Sequence, residues 1–87
     1  MVTIKPTIHL NGDRAETLVD QYLDVRTKLG EALDALYQSG PNGRNFYVQG
    51  DEAFTTARKE HDARTEAVRG VIADIDALLE HCAEFVK

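Results

Sequence analysis

Two stretches of this sequence place apolar side chains at alternating gaps of three and four residues, a spacing that restricts the chain to helices laid against helices. The first seam runs Ala15, Leu18, Tyr22, Val25, Leu29, Ala32, Leu36. The second runs Phe54, Ala57, His61, Arg64, Val68, Val71, Ile75, Leu78, Cys82, Phe85. Val19, Leu23, Leu33 and Tyr37 widen the first stripe on both sides, which asks for more than one neighbour. Ile72, Leu79 and Val86 add a second row to the other helix, in its C-terminal half only.

The punctuation around these seams sets their limits. Asn11-Gly12-Asp13 starts the first helix, with Asp13 and Glu16 reading as a capping box, and Ser39-Gly40-Pro41 stops it, so a helix is predicted over 13–38. Gly50-Asp51 opens the second, predicted over 51–86. Residues 1–12 read as an extended arm. Val2, Ile4, Ile8 and Leu10 alternate with Thr3, Lys5, Thr7 and His9, but Pro6 removes a ladder donor and no second strand candidate exists. The arm must pack on the helices or pair with the arm of another copy.

The expected architecture is therefore all-α: one domain over 1–87, a long antiparallel helical hairpin with an extended N-terminal arm. If the loop 39–50 simply reverses the chain, Gln38 lies level with Asp51 and Asp13 with Asp76. About ten residues of the second helix, roughly 15 Å, then overhang. That overhang carries Leu78, Leu79, Cys82, Phe85 and Val86, which the arm is placed to cover in part. A chain of 87 residues buries only about 60% of its unfolded surface, and two helices cannot cover both stripes. Assembly into a dimeric four-helix bundle or a higher oligomer follows, with Leu18, Tyr22, Leu29, Val68, Val71, Ile75, Leu78 and Phe85 as the expected interface.

Composition removes several function classes. Ten basic against fifteen acidic residues give a net charge of −5, wrong for non-specific duplex nucleic acid. A single cysteine excludes an internal disulfide and a cysteine-rich zinc site. No apolar run approaches the roughly 18 residues of a membrane span, and the first residues lack a signal peptide's apolar core, so the expected compartment is the cytoplasm. Catalysis finds little support. Cys82 sits between Leu78 and Phe85 as an inert thiol would, His9, His61 and His81 have no metal-ligand spacing, and no phosphate loop or nucleophile elbow occurs. No cofactor is expected.

One feature breaks the apolar pattern. His61 and Arg64 occupy consecutive seam positions of the second helix, and a guanidinium there is costly to bury without a partner. Either Arg64 reaches solvent or an acid such as Asp24, or the two residues floor a polar pocket for an anion or a planar ligand. The loop Pro41-Asn42-Gly43-Arg44-Asn45-Phe46-Tyr47-Val48-Gln49-Gly50 bears on this choice. Folded back over the second helix, it would bring Arg44 and Tyr47 beside His61 and Arg64, with Asn42 shaping the turn, a set able to grip phosphate and stack on a base. Otherwise its aromatics cap the end of the bundle. Residues 26–69 hold seven basic and seven acidic side chains, so a small anion meets less repulsion there than elsewhere.

On Ile8-His9-Leu10-Asn11-Gly12, the loop from Pro41 to Gly50, and His61 with Arg64, the chain resembles a group of short phage and prophage proteins of proteobacteria. The resemblance spans nearly the whole chain and implies a bacterial cytoplasm and a part in phage–host conflict, without assigning a role to any residue. Small helical phage proteins include oligomeric sponges for nucleotide signals and direct binders of host proteins. Two readings follow: a non-enzymatic oligomer that binds a host protein, or a module that sequesters a phosphorylated small ligand, such as a cyclic nucleotide, through Asn42, Arg44, Tyr47, His61 and Arg64.

Overall fold

The computed structural model describes residues 3–87; Val2, one of the arm's expected apolar contacts, lies outside them. Two helices carry the fold, α1 (Ala15–Gln38) and α2 (Asp51–Ala83), joined by two 3₁₀ turns, Gly43–Asn45 and Tyr47–Gln49. The helices run antiparallel against each other, and no strand forms among the described residues.

α1 begins two residues later than expected. A turn closed by Gly12 N–H donating to the His9 carbonyl at 3.1 Å carries Asp13 and Arg14 into an extended approach, with Arg14 at φ −69° and ψ 149°. The helix start makes no side-chain capping bond, so the Asp13–Glu16 capping box does not form. A Cβ on Gly12 would stand 2.8 Å from the ring of the exposed His9, which would have to swing aside to admit it. Glu16 still favours the first turn through the helix dipole. α2 ends at Ala83 rather than Val86, its last carbonyls drawn into tighter bonds from Phe85 N–H to Cys82 and Val86 N–H to Ala83.

The register differs from a simple reversal. Arg26 pairs with Asp76 at 2.9 Å, and the His61 ring reaches the Leu36 carbonyl at 2.7 Å. Each partner lies about 8 to 13 residues further along α2 than expected, roughly 12–20 Å at 1.5 Å per residue. The expected C-terminal overhang is therefore absent. The start of α1 lies beside the end of α2, where Ala15 and Cys82 are fully buried, and the free length of α2 is instead its first turns, at the loop end. The cause is the loop, which climbs alongside those turns and seats Phe46 on Phe54, ring centroids 6.5 Å apart.

The packed seam is also turned. On α1 the covered row runs through Ala15, Val19, Tyr22, Arg26, Leu29, Leu33 and Leu36, with Leu18 half-buried beside it, while Val25 and Ala32 are exposed. On α2 the row runs through Phe54, Ala57, His61, Thr65, Val68, Ile72, Ile75, Leu79 and Cys82, with Asp74, Ala77, Leu78 and His81 half-buried beside it. Each apolar stripe is wider than a single neighbour can cover, so the hairpin buries one edge of it and leaves the other out. Of the expected interface residues, Leu18, Tyr22, Leu29, Val68, Ile75 and Leu78 are half-buried in the protomer, while Val71 and Phe85 remain exposed.

The arm follows α2 without forming a strand. Its Pro6 carbonyl accepts a bond from His81 Nε2 at 2.7 Å, and Thr3, Pro6 and Ile8 are half-buried. Ile4 and Leu10, expected to face the helices, are 94% and 98% exposed. With no ladder to impose a pleat, period-two alternation does not decide which side chains turn inward. The resulting molecule is a rod of 62 × 22 × 17 Å with a radius of gyration of 18.5 Å, against about 12 Å for a compact chain of this length.

Candidate functional site

The loop end is where the expected site residues meet, and it is built from the termination of α1. Ser39 satisfies the helix's open carbonyls twice, its N–H donating to Ala35 at 3.1 Å and its hydroxyl to Leu36 at 3.0 Å. His61 completes this closure from the other helix. A carbonyl can only accept, so Nε2 carries the proton and donates to Leu36.

After Gly40-Pro41 the chain turns back over α2. Asn42 caps the first 3₁₀ turn, its Oδ1 accepting the Arg44 N–H at 3.0 Å. The second turn follows at once and ends at Gly50, whose φ of 111° is a conformation that only glycine adopts without strain. Phe46, locked on Phe54, anchors the fold-back. These contacts enclose a cleft of about 380 Å³ lined by Asn42, Phe46, Ala57, Glu60, His61 and Arg64. A second cleft of about 350 Å³, across Gly40-Pro41, shares His61 and adds Arg58 and Asp62.

Three of the five expected ligand residues, Asn42, His61 and Arg64, thus line one cleft. Arg44 and Tyr47 do not line it; both are exposed, Tyr47 by 74%. The apparent break in the apolar seam has a plain explanation. The seam steps by four residues from His61 to Thr65, which is buried and donates its hydroxyl to the Asp62 carbonyl at 2.9 Å. Arg64 falls beside the seam and makes no hydrogen bond or ion pair among the described residues, while Asp24, its expected partner, holds Lys28 at 2.8 Å instead.

The electrostatics of the cleft are balanced. Arg64 is answered by Glu60 on the same wall, His61 spends its donor on α1, and Asn42 spends its carbonyl on the loop. Elsewhere two groups are shifted. Burial pushes the Cys82 thiol up, which keeps it protonated and unreactive, and the hydrogen-bonded carboxylate of Asp24 raises the exposed Lys28 ammonium. Among the described residues no three His, Cys, Asp or Glu side chains gather where a metal ion could sit, and no helix is long and apolar enough to cross a membrane.

Sequence spacing missed Glu60, which opposes an anion in the cleft, and Thr65, the true seam residue. A gap of four in place of three after His61 was the signal for the latter, since either step keeps a residue on the same face. No family model, curated protein or solved structure matches this chain.

Proposed function

We propose that this chain is a non-enzymatic, homo-oligomeric helical protein of phage origin, a dimeric four-helix bundle or a higher assembly, that acts in a bacterial cytoplasm by binding a host protein. The observation that carries this reading is the surface. The chain exposes 6718 Å², against about 5,100 Å² for a compact monomer of its mass. Among the described residues its buried apolar side chains are only Ala15, Ile72 and Cys82. A rod with so small a core works through what covers it.

Two experiments test the reading. Light scattering at micromolar concentration should give more than one copy per particle, and a strictly monomeric particle would end the oligomer part. Tagged protein should capture the same prey repeatedly from bacterial lysate and lose it when the exposed Arg58 and Arg69 are both replaced by Glu. Prey that survives that reversal, or none at all, argues against the host-protein part.

The second reading, a sponge for a phosphorylated small ligand such as a cyclic nucleotide, is favoured by the shared cleft of Asn42, His61 and Arg64. Glu60 in the same wall and the outward Arg44 and Tyr47 count against it. A thermal-shift panel of nucleotides and cyclic dinucleotides on wild type and Arg64→Ala decides it. A ligand at 100 times its Kd adds about 2.7 kcal/mol, and only the wild type should respond.

A further inference from the structure

Building on the self-association proposed above, we infer that a second copy of this chain docks on one particular face of the hairpin, formed by Leu18, Val25 and Ala32 of α1 with Val71 and Leu78 of α2. The two long faces of the rod are chemically unlike. One residue before the packed positions Val19, Arg26 and Leu33 of α1 stand Leu18, Val25 and Ala32, and one residue before Ile72 and Leu79 of α2 stand Val71 and Leu78. In an antiparallel pair, a step of one residue back rotates both helices toward the same side, so these side chains share a face.

The opposite face is polar. A groove there is lined by Arg26, Asp34, Arg69 and Asp76 and is crossed by the Arg26–Asp76 pair. On the apolar face the charged neighbours by spacing, Lys28 and Asp74, stand at its outer edges, and Lys5 of the arm borders the α2 edge beside Asp74. Val71, at its centre, is 48% exposed, a large apolar side chain bordered on its outer side by Thr3 and Lys5 of the arm and open towards α1.

The dimensions fit a second copy. α1 is 24 residues, about 36 Å long, and the rod is 22 Å wide, so this side of the hairpin, apolar patch and polar rim together, measures about 800 Å². A stable protein interface of ordinary size takes about 800 Å² from each partner. The surface excess over a compact monomer, about 1,600 Å², is large enough to supply it. A two-fold arrangement uses this face twice, closes on itself and leaves the polar groove and the loop end free for another partner.

The test replaces exposed residues, so the protomer has no core to lose. Wild type, Val25→Glu, Val71→Glu and the polar-face control Leu23→Glu are compared by sedimentation equilibrium, with helicity by circular dichroism. The expected result is a dimer for wild type and Leu23→Glu, and dimer affinity weakened at least 100-fold for the Val25 and Val71 variants at unchanged helicity. Should either glutamate lower helicity, Val25→Ser and Val71→Ser replace them, with at least tenfold weakening expected. If wild type is oligomeric but these variants remain so, or Leu23→Glu alone dissociates it, the face is wrong and self-association stands. A monomeric wild type overturns both.

Discussion

Removing three carbons from Ile72 should cost about twice as much as removing three from Leu23, because the chemistry is the same and only the burial differs. Ile72 is 8% exposed in the helix–helix seam and Leu23 is 49% exposed on the polar side. Three buried carbons at about 0.8 kcal/mol each are worth about 2.4 kcal/mol. Scaled by burial, this gives about 2.2 kcal/mol for Ile72→Ala and about 1.2 kcal/mol for Leu23→Ala. Alanine's better helix propensity trims a few tenths from each, more at the β-branched isoleucine, leaving about 2 and about 1 kcal/mol. The site is open to the groove beside it, so little cavity penalty is added. An 87-residue chain unfolds with about 0.18 kcal/mol/K of entropy, so the melting temperatures should fall by about 11 °C and about 5 °C. Thermal melts followed by circular dichroism at one fixed protein concentration measure both. Equal losses, or a larger loss at Leu23, would refute the seam described here.

Other outcomes follow from single contacts. Cys82 should resist a thiol reagent at pH 8 in the folded protein, reacting at least 100-fold faster in denaturant; because folding raises the thiol's pKa, stability should be complete below the usual thiol range and decline as pH rises through it, a decline that Cys82→Ala abolishes. Replacing His81 by alanine should free the arm, read as faster amide exchange and proteolysis confined to residues 3–8 while the helices keep their protection. Gly50→Ala, forced to a φ of 111°, should lower stability by about 1–2 kcal/mol in chemical denaturation. Arg64→Leu should shift stability by less than about 0.5 kcal/mol, since the residue is exposed and unpartnered among the described residues; a gain above 1 kcal/mol would return Arg64 to the seam.

Helix existence was legible in one dimension, and helix register was not. Periodic apolar residues, Gly40-Pro41 and Gly50-Asp51 mark two helices whose inner limits at Gln38 and Asp51 agree with the structure. A twelve-residue loop, however, can close straight across or climb beside the helix it enters. What decides is Phe46 meeting Phe54, a contact that no spacing announces. The same holds for the site. Asn42 as a turn residue and His61 as an inward-facing group could be read from their positions, and both lie where the fold-back places them. Arg64 was misread because gaps of three and four are equally helical after His61, and the neighbour at position 65 is a threonine that satisfies its own hydroxyl. Arg44 and Tyr47 lie on successive tight turns whose direction sequence does not encode. Asp13 has the composition of a cap, but the turn at His9–Gly12 moves it off the helix start.

The two histidine–carbonyl bonds lie near opposite ends of a 62 Å rod, one tying Leu36 to α2 and the other tying Pro6 to it. Neither shares a side chain with the other, and the packing between them is a single row rather than a core that both enter. Each end is therefore its own latch. Thermal energy can spring the loop end open while the arm end stays shut, or the reverse, and amide exchange should divide the chain into a slow middle around Arg26 and Asp76 with two faster blocks that open on separate clocks. An event that clamps one end would be felt locally and would leave the other end's rhythm unchanged.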